Sequence, residues 1–247
     1  MNSLTSARIS LGLSGSAIPT REHLRFQLDH ALARDAVHAQ LDVPQILGGL
    51  QHRGLKTLTV SSAAREAHGK LDRGAYLRQP DLGRTLSPDS RALLEQHTTA
   101  SSIAPQLVFI LADGLSALAI ERHALPVLDA LLPNLNTSDH GPVVIAGAAR
   151  VGLGDEIGQI LQAGLAVVLI GERPGLSSPD SLGVYITWQP RVGRTDAERN
   201  CISNIRSEGL SYSTAAERIL FYIREAHRLQ TTGVALKEGH SKPELHG

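Results

Sequence analysis

Apolar positions along this chain follow two regimes. Through the first hundred residues they recur at helical spacing, and beyond residue 105 they gather into short unbroken runs separated by glycine-rich turns. Leu24, Leu28, Ala31, Leu32 and Val37 fit one helical face, so a helix is predicted from Thr20, which can cap it, to about Gln40. Val43 to His52 predicts a second helix and Lys56 to Val60 a short strand. Residues 69–86 are rich in Gly, Pro, Asp and Arg and read as loop, and Ser87-Pro88 is a cap-plus-first-turn signal for a helix to about His97. Four apolar runs then predict strands at Gln106–Ala112, Pro142–Ala148, Leu165–Ile170 and Val184–Trp188. Helices are expected between them at Leu115–Leu131 and Asp155–Ala163. Thr195 and Glu198 fit a capping box opening a helical segment near Cys201, and an amphipathic helix starts at Ser213.

Apolar strands alternating with helices argue for a mainly parallel sheet covered on both faces. The expected fold is α/β, doubly wound. Residues 1–104 form a mostly helical N-terminal extension, 105–235 the sheet domain and 236–247 a mobile polar tail.

Composition narrows the function. The 24 basic and 24 acidic residues cancel, and aromatic residues make up 3% of the chain. A nucleic-acid binder needs a basic stripe or stacking platforms, so nucleic acid is not an expected partner. The single cysteine, Cys201, excludes an intrachain disulfide and suits a reducing cytosol. No signal-peptide pattern opens the chain and no apolar run approaches the ~20 residues of a membrane span, so a soluble intracellular protein is expected. The eleven histidines show no metal-ligand spacing, and no metal site is expected.

In open parallel sheets, ligands bind beyond the carboxyl ends of the strands. Four turns fall there. Asp113-Gly114-Leu115-Ser116 resembles a nucleophile elbow but lacks the second glycine, Leu118 standing in its place, and no histidine–acid pair serves Ser116. The plainer reading has Asp113 and Ser116 capping the following helix. Arg150-Val151-Gly152-Leu153-Gly154 resembles a dinucleotide loop, but the third glycine falls one place late because Ile157 occupies its position. The alternative is a glycine turn that lets helix and strand pack closely. Glu172 follows the third strand, where its carboxylate could accept hydrogen bonds from a ligand or pair with an arginine. Cys201 follows the fourth strand, and a lone cysteine is more often a small apolar residue than a nucleophile.

Several stretches, taken together, resemble the light chain of ethanolamine ammonia-lyase. They are Arg78-Gln79-Pro80-Asp81-Leu82-Gly83-Arg84, Asp113 to Ser116, Arg150-Val151-Gly152 with Asp155 to Gln159, Gly171 to Leu176, and Cys201-Ile202-Ser203-Asn204-Ile205, in that family's order. The resemblance runs from about residue 20 onward. Many relatives carry a longer, dispensable N-terminal segment, and a shorter form is expected here. The resemblance implies a Rossmann-like core and a small subunit of an adenosylcobalamin-dependent, radical ammonia-lyase that makes acetaldehyde and ammonia from ethanolamine. It also implies a hetero-oligomer in which a heavy β/α-barrel subunit does the chemistry, and a place in a bacterial microcompartment of the cytoplasm. The family's light-chain cobalamin contacts map onto Val151, Glu172 and Cys201, with no catalytic residue in this chain. The cofactor stays base-on in that family, consistent with the lack of an Asp-x-His-x-x-Gly motif, since Asp139-His140-Gly141 has the wrong spacing. Two other readings compete: a stand-alone nucleotide-dependent oxidoreductase using the Gly152 loop with Glu172 as its ribose acid, and a non-catalytic scaffold.

Overall fold

The computed structural model describes residues 17–64, 73–101, 103–136 and 140–236. Residues 237–247 of the expected tail and Asp139 lie outside them; Leu236, where that tail is expected to begin, is buried and its carbonyl accepts from Asn200. The first elements are α1 (Thr20–His38), α2 (Val43–His52) and β1 (Thr57–Ser61). Thr20 is the first helical residue of α1 rather than its cap; Pro19 holds the cap position and no side chain caps it. α2 matches its expected bounds because Asp42 accepts from the Gln45 amide and Pro44 stands in the first turn.

The stretch read as loop holds α3 (Arg73–Arg78) and a 3₁₀ turn at Pro80–Arg84. Tyr76 anchors it. Its ring is fully buried, and its hydroxyl lies 2.7 Å from the Gly114 carbonyl oxygen and 2.8 Å from that of Ala149. α4 (Pro88–Ala100) begins as expected, with the Ser87 hydroxyl accepting from the Ser90 amide at 3.3 Å. Then come β2 (Leu107–Ala112), α5 (Ala117–Ala119), a π-helical turn at Ile120–Ala124 and α6 (Leu125–Leu131). β3 (Val143–Gly147), α7 (Leu153–Ile160), β4 (Leu165–Gly171), β5 (Leu182–Trp188), β6 (Arg199–Ile205) and α8 (Tyr212–Leu229) complete the order. The capping box at Thr195 and Glu198 is present, but it closes only a 3₁₀ turn at Asp196–Glu198. Cys201 therefore lies on a strand and not in a helical segment.

Among the described residues six strands form one sheet in the order β1-β3-β2-β4-β5-β6. The pairs β1–β3, β2–β3 and β2–β4 are parallel, while β4–β5 and β5–β6 are antiparallel. The fold is thus mixed α/β with a mostly parallel sheet. Strand periodicity sorts each side chain to one face. Leu107, Phe109 and Leu111 of β2 pack with α2, α6 and α8, whereas Val108, Ile110 and Ala112 pack with α4 and α7. β2 and β4 are buried along their whole length, as apolar runs covered on both faces must be. β5 differs: Leu182, Val184 and Ile186 join the α8 layer, while Tyr185 alone reaches the edge of the α7 layer. The glycine turn after β3 serves packing, because a Cβ on Gly154 would sit 2.4 Å from Val168 Cγ2 of β4. No helix among the described residues is long and apolar enough to cross a membrane.

Candidate functional site

The turns after β2, β3 and β4 meet at the carboxyl ends of the parallel strands, and buried polar groups hold them. Asp113, 2% exposed, accepts from the Ala148 amide at 3.0 Å and the Ala149 amide at 2.9 Å. It therefore ties the loop after β2 to the loop after β3 instead of capping its own helix. Ser116 holds the cap position of α5 without capping it; its hydroxyl donates to the Pro179 carbonyl at 2.8 Å. Both cap expectations are corrected in the same way, since the loops of this edge bond to one another across the sheet.

The loop from Glu172 to Ser181 is pinned at several points. Asp180 accepts from Arg122 at 2.9 Å and lies 3.2 Å from His123 Nε2 on the π-helical turn. Burial pushes the Asp180 carboxyl up, but Arg122 and His123 outweigh it and hold the group below the usual carboxylate range. Burial in turn lowers the pKa of His123, against the pull of Asp180. At the start of the loop, Ser181 donates its hydroxyl to Glu172 Oε2 in a short bond, and the Asn204 amide approaches the same oxygen at 3.4 Å. Among the described residues no arginine pairs with Glu172 and Oε1 accepts no hydrogen bond. Oε1 lies over Gly183, where a Cβ would be 2.9 Å away.

Beside Glu172, Tyr185 of β5 sits opposite Cys201 of β6 in the antiparallel register. Burial, followed by the neighbouring thiol and the charges of Glu172 and Asp196, raises the Tyr185 hydroxyl well above its ordinary range. The Cys201 residue is exposed, yet its thiol is also pushed up, by desolvation first and by Glu172 and Asp196, against the influence of the Tyr185 hydroxyl. Both groups stay protonated at neutral pH. They can donate to or pack against a ligand, but the thiol is not poised as a nucleophile.

Val151 lies on the other side of α7's amino end. It lines a cleft of about 740 Å³ with Arg84, Arg150, Asp155, Asp196 and Arg199 among its walls. Inside it, Arg199 grips Asp155 with two bonds of 2.6 and 2.7 Å and reaches Thr187 at 3.2 Å, locking α7 to β5 and β6. Burial pushes the Asp155 carboxyl up against those bonds. Val151 follows β3 and Glu172 follows β4 at the carboxyl edge, whereas Cys201 pairs through Tyr185 with Val168 in the middle of β4. From β3 to β6 is four strand spacings, about 19 Å at ~4.8 Å each. Val151 and Tyr185 pack against the same core layer. The sequence reading missed Tyr185 and Ser181, although a tyrosine between Val184 and Ile186 was a readable signal. Among the described residues no group of three His, Cys, Asp or Glu could hold a metal ion.

Strand order bears on the nucleotide reading. A dinucleotide fold sets the glycine turn and its ribose acid on neighbouring strands. Here β2 lies between β3, which precedes Gly152, and β4, which precedes Glu172. The two are about 10 Å apart at the strand level, and that alternative loses its geometry.

These features define a mixed α/β protein in which charged groups hold the loops at the carboxyl ends of the parallel strands in place. The particular family follows from comparison. The model of the ethanolamine ammonia-lyase light chain matches residues 1–237. The chain is 50% identical to the ethanolamine ammonia-lyase small subunit of Azotobacter vinelandii over 99% of its length and 89% of the relative's. It is 49% identical to that of Pseudomonas paraeruginosa over 100% and 89%, and 48% identical to that of Xanthomonas campestris pv. campestris over 99% and 89%. The chain belongs to the ethanolamine ammonia-lyase light-chain family and is a subunit of a carbon–nitrogen lyase.

Proposed function

We propose that this small subunit supplies one wall of an adenosylcobalamin site, which it shares with a heavy β/α-barrel subunit that carries out the conversion of ethanolamine. On this reading the sheet is a Rossmann-like, doubly wound core. Residues 105–235 form the cobalamin-contacting part, residues 1–104 a mostly helical extension that lends β1 to the sheet, and residues 236–247 a tail. The assembly works in the cytoplasm, inside an ethanolamine-utilisation microcompartment.

The residues on the rim fit the group. A corrin is a broad apolar macrocycle fringed with primary amides, and it needs acceptors and flat contacts spread over its width. Glu172 Oε1 is the observation that carries the reading: an oxygen of a half-buried carboxylate, held by Ser181 through its twin and without a donor among the described residues, beside Tyr185 and Cys201. It would accept from a corrin amide. The Val151 amide has no intramolecular acceptor among the described residues, while its side chain packs on the core. Tyr185 and Cys201 would lie against apolar surface. When bound, adenosylcobalamin supplies a carbon radical by homolysis of its cobalt–carbon bond. This chain's residues bind, orient and exclude water, and none acts as acid, base or nucleophile.

The test is ethanolamine-dependent acetaldehyde formation with adenosylcobalamin, using this chain, the heavy chain and the mixture. Activity is expected only in the mixture. Glu172→Ala should raise the half-saturating cofactor concentration about 10-fold or more, the worth of a hydrogen bond to a charged group. Turnover by this chain alone, or a mixture indifferent to Glu172, refutes the proposal.

A further inference from the structure

Among the described residues, one cation of the cleft beside Val151 is matched by no carboxylate. Arg199 is matched by Asp155 at 2.6 Å, Arg91 by Glu156 and Arg194 by Glu198 in short bonds, and Arg84 by Asp81 at 3.7 Å on the rim. Arg150 has no carboxylate partner among the described residues. Its guanidinium stacks 4.6 Å over the Tyr76 ring, which fixes its plane, and its Nε is buried with no hydrogen-bond partner. Leaving such a donor unmet is costly unless something completes it. The next two residues along the wall, Val151 and Gly152, have backbone amides with no intramolecular acceptor among the described residues. They open α7, whose positive dipole end faces the same turn, and the acids of its first turn, Asp155 and Glu156, are both paired. A fixed guanidinium beside free amides at a helix start suits a tetrahedral oxyanion.

The cleft also adjoins the proposed corrin rim. Asp196 and Arg199 line the cleft, and the charge of Asp196 reaches both Tyr185 and Cys201. A ligand whose flat body covers Tyr185 and Cys201 could therefore place an appendage beside Arg150. Base-on cobalamin carries one anionic appendage, the phosphodiester of its nucleotide tail, while its other side chains end in neutral amides. We infer that the Arg150–Val151–Gly152 cleft is an anion subsite that takes this phosphodiester, making Arg150 a specificity residue for complete corrinoids. The inference rests on the cobalamin reading above.

The experiment measures dissociation constants by ultrafiltration on the reconstituted two-subunit complex, with cyanocobalamin and with cobinamide, which lacks the nucleotide tail and its phosphodiester. Arg150→Met should weaken cyanocobalamin about tenfold or more and leave cobinamide within about twofold. Arg150→Lys, which keeps the charge but loses the fork, should fall between. In the wild-type complex, inorganic phosphate at constant ionic strength should weaken cyanocobalamin and not cobinamide, so the result does not depend on whether a variant folds. Equal losses for both corrinoids, no loss for either, or phosphate acting on both or neither would overturn the anion subsite. A wild-type complex that binds neither corrinoid would overturn the cobalamin reading itself.

Discussion

Asp113 ties the loop after β2 to the loop after β3, and removing its charge gives a quantitative test of how that edge of the sheet is held. Its two carboxylate oxygens accept from the amides of Ala148 and Ala149 at 3.0 and 2.9 Å. Ala148 has φ of 55°, the left-handed region in which alanine is strained. Only strong partners hold it there: the two bonds from Asp113's side, and the Ser62 hydroxyl donating to the Ala148 carbonyl at 2.7 Å. The next residues are Arg150, Val151 and Gly152, so the strain is spent on presenting the proposed binding turn. Asp113→Ala strands two buried amides at about 1–3 kcal/mol each, or about 4 kcal/mol in all. Asp113→Asn keeps the shape and one acceptor but turns an NH₂ toward the other amide, costing about 2 kcal/mol. In a chain of this size that is roughly 4–8 °C in Tm for the asparagine variant. Urea unfolding of the purified chain measures both, and corrinoid binding to the complex should weaken in the same order. If both variants lie within about 0.5 kcal/mol of wild type, the carboxylate does not organise the loop and the reasoning fails.

Two further outcomes are expected. Gly183→Ala puts a methyl group 2.9 Å from Glu172 Oε1, the far end of a flexible side chain. Tm should barely move while corrinoid affinity falls several-fold, and a large drop in Tm at unchanged affinity would refute the role given to Oε1. His123 titrates lower in the folded state than its unfolded value of about 6.5, so the unfolded chain takes up its proton first as pH falls. Stability should therefore decline below about pH 6.5, with Asp180 adding a further loss below about pH 4 because its folded value is depressed. His123→Gln should flatten the fall in Tm between pH 7 and 5.5, and an unchanged slope would assign it to other groups.

What could be read from the sequence depended on the range of the interactions. α2 is determined within ten residues, by the Asp42 cap, Pro44 and the buried pair Ile46 and Leu50, and it was legible to the residue. β2 and β4 are buried on both faces, so apolar run length alone marked them. α3 was hidden because its one essential contact is distant. Tyr76 reaches carbonyls 38 and 73 residues away, and nothing in a Gly- and Arg-rich stretch announces that. Asp113 misled for the same reason: an acid before a helix suggests a cap, and its partners lie 35 and 36 residues on.

β6 shows the most consequential gap. A true capping box precedes it, but the box holds three residues and the chain then pairs with β5, burying Ile202 and Ile205. A bulge in that pairing, with Asn204 at φ 60°, breaks the two-residue alternation that would have marked a strand. The antiparallel turn-back of β5 and β6 has a functional consequence. A parallel strand at this end would require a crossover helix, whereas β5 and β6 extend the sheet with no helix needed on the α7 side. Gly183, Tyr185 and Cys201 are left there beside a carboxylate held by Ser181. The same departure from parallel order that sequence periodicity failed to register thus forms the surface on which the proposed cobalamin contacts Glu172 and Cys201 stand.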